Sequence, residues 1–347
     1  VEKFPKSEYY NDTIANLAFD YENIADFASS AAYYEQLFSL DQEHASAKEA
    51  IYSAALFQKA MGNSTQAIKN YQTFIKKYPT DERVADVKIT IGKILTKHKK
   101  WSEAAKLYQA YAASSEGKTA EQVFYAKLQY GLALEAQGRS ATSHWNAMVS
   151  DYNAAKAGGS EMGLATEFVA QVMMKLAKPK LDAALALQIS GPDRPVNQEK
   201  ETEIVTNQLL GKKNAVQEIE KAYVDIIKTG AGEYGLAALV DLGGLYENMA
   251  NTLRNSYTPP QLTEDQLEIY RARLEDSAYP NEERAVQAYS QALGKSYELN
   301  LYNENTAKAV RQLGVLRPFD YPGLSEDLIT PRFTSKAVVD STFETNL

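Results

Sequence analysis

With 347 residues the chain exceeds what one compact core usually organises, so it holds either two domains or an elongated array of repeated units. Its composition, 44% hydrophobic and 24% charged, excludes a disordered polymer, and no run reaches the roughly 18 consecutive apolar residues of a membrane-spanning helix. The net charge of −8 argues against a general nucleic-acid binder, and the absence of cysteine excludes disulfides, thiolate nucleophiles and cysteine-ligated metals.

Apolar residues at helical spacing begin with Ile14, Leu17, Ala18 and Tyr21, and a second stripe follows at Ser30, Tyr34 and Leu37. The same frame returns as Ile51, Ala54, Ala55 and Gln58, then Gly62, Ala67, Tyr71, Phe74 and Pro79. It returns again as Ile91, Gly92 and Leu95 with Ala104, Tyr108 and Tyr111, and a fourth time as Tyr130, Gly131, Leu134 and Gly138 with Ser143 and Ala147. Ser30 to Ala67 and Ala67 to Ala104 are both 37 residues, and Gly92 to Gly131 is 39. A fixed period of this size predicts helix pairs that stack on one another. Small residues fall in step on both helices of a pair: Ala18 with Ser30, Ala55 with Ala67, Gly92 with Ala104. Two antiparallel helices approach closely only where no bulky side chain intervenes, and flanking aromatics then fill the holes. Pro79 is expected to end its helix, because it has no N–H to donate.

Beyond Tyr152 the frame blurs. Ala154 to Gly159 reads as a small-residue linker, and the next helix is expected to run to about Lys178, where Pro179 disturbs it. Gly191-Pro-Asp-Arg-Pro195 is the strongest break in the chain and predicts an exposed loop. Glu199 to Leu210 and Asn214 to Lys228 read as two helices joined at Gly211. The repeat frame reappears at Leu239, Leu242, Gly243 and Tyr246, passes a loop at Thr258-Pro-Pro260, and closes with Ala285, Tyr289 and Ala292, then Val310, Leu313 and Gly314. The expected organisation is an array over 1–152, a divergent helical array over 160–316, and an extended, proline-containing tail over 317–347. Phe319, Tyr321, Leu324, Leu328, Ile329 and Phe333 make that tail too apolar for a solvated linker, so it is expected to dock, either along its own helices or on a partner.

The repeated residues over 11–150 resemble the tetratricopeptide consensus, and the longer repeat with Tyr71-Gln-Thr-Phe-Ile-Lys-Lys-Tyr-Pro79 is similar to that of bacterial envelope members, including outer-membrane assembly and Tol-Pal-associated proteins. The resemblance implies an all-α, right-handed superhelix of antiparallel helix pairs, an α-solenoid that binds proteins or peptides without a cofactor and without catalysis. It further implies a groove lined by the first helix of each pair, which places Asp12, Phe19, Glu22 and Asn23, then Tyr52 and Lys59, then Lys93 and Lys97, then Tyr125 and Glu135 against a partner. The chaperone-type carboxylate clamp of the family is missing, since its places hold Ala15 and Phe19, or Tyr52 and Leu56. Lys69 to Lys106 carries ten basic against four acidic residues, which reads first as a solvated face and, as the alternative, as a docking surface for an acidic partner. The start at Val1 fits a processed, exported protein in the periplasm or envelope; the alternative is a cytoplasmic assembly or regulatory adaptor.

Chemistry finds little support. His44, His98 and His144 are 54 and 46 residues apart, far from the three-to-five spacing of helical metal ligands, and each is expected to be solvated near a helix end. Ser115-Glu-Gly-Lys118 and Lys228-Thr-Gly230 match motifs of penicillin-binding enzymes, but those motifs need a sheet, and no alternating strand pattern is present.

Overall fold

A computed structural model describes residues 7–113 and 118–322, and every regular element among them is an α-helix. The chain divides between Ala238 and Leu239 into two compact units. In the first unit, helices α1 (Tyr10–Asn23) and α2 (Phe27–Leu40), α3 (Ala47–Ala60) and α4 (Ser64–Lys77), α5 (Val84–Lys97) and α6 (Trp101–Ala112), and α7 (Ala120–Ala136) and α8 (Thr142–Ala157) form consecutive pairs. Each helix packs on its neighbours in the chain, so the core is a succession of hydrophobic clusters along the array rather than one central cluster. This is a tetratricopeptide-like array of helix pairs.

The pairing follows from local chemistry repeated at the period of the sequence. The turn inside each pair requires one left-handed residue, and Ala25, Lys99, Gly62 and Gly138 supply it with positive φ. Glycine adopts that conformation without a Cβ clash, which explains two of the four; Ala25 and Lys99 accept a cost of roughly 1 kcal/mol each. The small residues Ala18, Ser30, Ala55, Ala67, Gly92 and Ala104 are all buried. Gly92 and Gly131 are constrained further, because a Cβ at either would meet the ring of Tyr108 or Trp145 closer than 3.0 Å. Each glycine is therefore the floor of a seat into which the second helix of the pair lowers an aromatic ring. As expected, helix α4 ends at Lys77, before Pro79.

Three readings of the middle region are corrected. Ala154 to Ala157 is not a linker but the last turn of α8, since alanine is the best helix former and the chain turns only at Gly158 and Gly159. Helix α9 (Ala165–Ala186) continues through Pro179, because Ala177, Leu181 and Ala184 on either side of it are buried and their packing offsets the lost hydrogen bond. Gln198 to Thr229 is one helix, α10, rather than two; Gly211 lies within it, and burial of Lys212, Val216, Ile219, Tyr223 and Ile226 carries the helix past the weak former. The Gly191–Pro195 loop stands between α9 and α10, although Ile189 and Gly191 are tucked in.

Helix α11 (Gly232–Arg254) spans the division. In the second unit its later part packs with α12 (Glu264–Leu299) and α13 (Glu304–Leu316) around the buried Tyr289, whose ring occupies the place a Cβ on Gly243 would take. The Tyr289 hydroxyl and the Gln312 side-chain amide both donate to Glu247, at 3.1 and 3.0 Å, which ties the three helices through one carboxylate. The 36-residue α12 carries Pro280 internally. Arg254 bonds Glu275 and Glu282, and Arg317 bonds Glu282 and Glu283. Of the apolar tail, residues 323–347 lie outside the described part, as does Ser115.

Candidate functional site

The ten groove positions divide into those used by the fold and those left open. Glu22 accepts the Tyr34 hydroxyl at 2.8 Å and so joins α1 to α2; burial, reinforced by this carboxylate, pushes the phenol far above its ordinary range. Tyr52 packs edge-on against Tyr71, is tilted on Phe74, and lies beneath the Arg83 guanidinium at 4.5 Å. Tyr125 is wedged between Tyr108 and Phe168. Glu135 accepts the Trp145 indole N–H at 3.0 Å and pairs with Lys175 at 2.9 Å, bridging α7 to both α8 and α9.

Asp12 belongs to a different device. Its carboxylate meets His44 Nε2 at 2.9 Å, and the residues 37 and 74 positions later repeat the motif: Glu49 receives both Arg83 guanidinium nitrogens at 2.8 Å, and Asp86 accepts the Gln122 amide at 2.9 Å. An acid in the first turn of each leading helix thus reaches a residue of the following repeat, where it also complements the helix dipole. Arg83 is the strongest rung. It bonds Asp81 as well, holding that carboxyl well below the ordinary carboxylate range, and it lies over the Tyr52 and Phe74 rings. The acids at 12, 49 and 86 stand in the sequence at the repeat period, so the ladder was visible there as a spacing but carried no recognisable motif.

Phe19, Asn23, Lys59, Lys93 and Lys97 remain exposed. Lys93 leans over the Tyr125 ring with Nζ 5.2 Å from its centroid, an attraction that steadies the ammonium while leaving it in solvent. Phe19 is 55% exposed and Leu56 is 41% exposed, and these two with Lys93 occupy the same turn of α1, α3 and α5 at steps of 37. Leu56 was not among the groove candidates, yet it continues their row. The open surface is therefore apolar at its start and cationic further along.

A separate cleft of about 630 Å³ lies between the α3–α4 and α5–α6 turns, with Ile68, Ile94 and Leu95 at its floor and Asn63, His98 and Lys100 at its rim. Ser64 Oγ and His98 Nε2 are 2.6 Å apart across it. His144 departs from its expected solvated state. Its Nε2 donates to the Lys127 carbonyl at 2.7 Å and its ring stands edge-on to Tyr130, and burial lowers its pKa. Lys228-Thr-Gly230 forms the end of α10, where Gly230 takes the left-handed capping conformation. No group of three or more metal-binding side chains occurs among the described residues, and none of their helices is long and apolar enough to cross a membrane.

No protein-family model matches the chain, and no curated protein matches it. Among solved structures it is similar to a tetratricopeptide repeat protein from Parabacteroides merdae, at 12% identity over 88% of this chain and 98% of the other, with a TM-score of 0.31. It is also similar to a circular tandem repeat protein, at 14% identity over 89% and 69% with a TM-score of 0.25. A third likeness is to Naa15/Naa10 bound to HypK-THB, at 12% identity over 89% and 64% with a TM-score of 0.21.

Proposed function

We propose that this protein is a non-catalytic scaffold that holds an extended or helical segment of another protein along the leading helices of its first three repeats. The observation that carries the reading is the row Phe19, Leu56 and Lys93, flanked by Lys59 and Lys97: large apolar and cationic side chains at the repeat period that the fold leaves in solvent. Apolar anchors supply affinity in such a surface and charges set register and partner choice. The partner segment is acidic with apolar anchors, because the groove's own carboxylates at 12, 22 and 135 are engaged within the fold, whereas its lysines at 59, 93 and 97 project into solvent.

The setting we propose is a bacterial envelope complex in the periplasm, on the strength of the long repeat with Tyr-Pro at its helix end and a cysteine-free composition. Quantitative crosslinking capture from native cells, comparing the unaltered chain with Lys93→Glu/Lys97→Glu, tests both points. The expected result is a small set of envelope proteins whose recovery falls at least about tenfold in the double variant and falls with added salt. Identical recovery with both chains removes the groove, and a purely cytoplasmic set removes the placement.

A further inference from the structure

In the first three repeats the opening residue of the second helix takes one recurring place. These residues are Phe27 on α2, Ser64 on α4 and Trp101 on α6, at steps of 37. Each meets the closing part of the next leading helix. The Phe27 ring lies 4.9 Å from that of Phe57 on α3, Ser64 Oγ is 2.6 Å from His98 Nε2 at the end of α5, and the Trp101 carbonyl accepts the Gln137 amide at the end of α7, at 3.4 Å. Phe57, Ile94 and Ala133 correspond at the repeat spacings of 37 and 39. The two flanking junctions therefore carry aromatic residues at this place, Phe27 with Phe57 in one and Trp101 in the other. The middle junction has Ser64 and Ile94, and it is here that the cleft of about 630 Å³ opens.

The cleft combines an apolar floor with a cationic rim. Ile94 and Leu95 are 6% and 4% exposed, so the floor is fixed by the core, and Ile68 completes it. A volume of this size lies within the usual range of about 300–1,000 Å³ for small-ligand pockets. At the rim stands the exposed run Lys97-His-Lys-Lys100, of which His98 and Lys100 line the cleft directly. The lining contains no carboxylate. Lys100 reaches Glu103 at 3.6 Å, in solvent, and Glu35 behind the rim is already held by the Gln58 and Asn70 amides, at 3.0 and 2.7 Å. Gln58 and His98 adjoin the groove residues Lys59 and Lys97 in sequence, so a segment held by those lysines comes within reach of the rim.

We propose that this cleft receives an aromatic side chain of a bound protein segment, next to an acidic residue that meets His98 and Lys100. The ring would rest on Ile68, Ile94 and Leu95 as Phe27 rests on Phe57 one repeat earlier, a large apolar anchor in a preformed pocket. The acidic neighbour answers the uncompensated positive charge and fixes the register of the segment. The inference rests on the scaffold reading for the class of ligand, a protein segment, and adds where one of its side chains goes.

The test is a titration of the full, methyl-labelled chain with acetyl-Phe-Asp-amide, followed through its isoleucine and leucine methyl resonances. Saturable shifts are expected at Ile68, Ile94 and Leu95 and not at Ile14 or Ile226. Acetyl-Phe-Asn-amide, which lacks the charge, and acetyl-Ala-Asp-amide, which lacks the ring, are each expected to bind at least about tenfold more weakly. Ser64→Trp/His98→Gln gives the middle junction the residues of the next one, and it is expected to abolish the shifts while keeping the thermal midpoint. Equal affinity for all the probes, shifts that survive in the double variant, or no saturable shift by about 10 mM each overturn the proposal. Should the double variant fold poorly, the probe series on the unaltered chain still decides. Absent probe binding together with reduced capture by Lys93→Glu/Lys97→Glu removes the cleft and keeps the scaffold; probe binding with unchanged capture does the reverse.

Discussion

Helices α1 to α8 and helices α9 to α10 solve the same burial problem by different means. The first eight are 12 to 17 residues long and hold one another through repeated small residues, aromatic seats and inter-repeat ion pairs. The next two are 22 and 32 residues long, tolerate a proline and a glycine in their interiors, and are joined by a buried lysine. Lys212 has no exposed surface; its ammonium donates to the Ala184 and Leu187 carbonyls at 2.8 and 3.1 Å, capping the end of α9 from α10. Short paired helices thus depend on shape at fixed positions, whereas long helices spread their burial and are forgiving of single weak residues.

That contrast can be broken most severely at Trp145. Trp145→Ala empties the seat over Gly131 and strips Glu135 of a donor, so a loss of about 3–5 kcal/mol is expected, read as a fall in the urea midpoint followed by tryptophan-independent circular dichroism. A smaller effect belongs to overfilling. Gly92→Leu drives a side chain into the Tyr108 ring and should cost about 1–3 kcal/mol, with the largest increase in amide exchange confined to α5 and α6.

Protonation distinguishes the two regions by sign. Burial lowers the Lys212 pKa to about 8, so between pH 8 and its unfolded value near 10.5 the unfolded chain binds more protons than the folded one. Protection of α9 and α10 should therefore rise with pH across that window, by at most about 2–3 kcal/mol, and Lys212→Met should flatten the slope. In α4 and α6, burial raises Tyr71 and Tyr111 to about 12, so their contribution is complete below pH 10 and is lost as pH climbs from 10 towards 12. Opposite pH slopes in the two regions, measured by exchange corrected for intrinsic rate, are the expected outcome; a common slope contradicts it. The mildest test is Gly211→Ala on the open face of α10, which should stabilise by about 0.8–1 kcal/mol in the same urea experiment that shows Gly92→Leu to be damaging.

How legible all this was in the sequence varies with how strictly position governs the physics. Helix pairing over 10–152 could be read because close approach demands small residues at one place per repeat, and Ala55, Ala67, Gly92 and Ala104 satisfy that demand at a constant step. The long helices could not, because Pro179 and Gly211 are local signals, and tertiary burial of Leu181, Lys212 and Val216 overrides them. The groove was legible only in part. Family positions find the leading helices, but Glu22, Tyr52, Tyr125 and Glu135 are held in packing that depends on a neighbouring helix or repeat, which a single-helix pattern cannot display. Leu56 was visible in the sequence only as a place where the carboxylate clamp is missing; its 41% exposure sets it in one row with Phe19 and Lys93.

The rungs from Asp12, Glu49 and Asp86 carry a mechanical consequence. Each joins a repeat to its immediate successor and to nothing further along, so tension applied at the two ends of α1 to α7 loads every rung in series. The rung with two guanidinium bonds and a ring beneath it should yield last, and extension would proceed in increments of one 37-residue module, starting from the histidine- and glutamine-linked flanks.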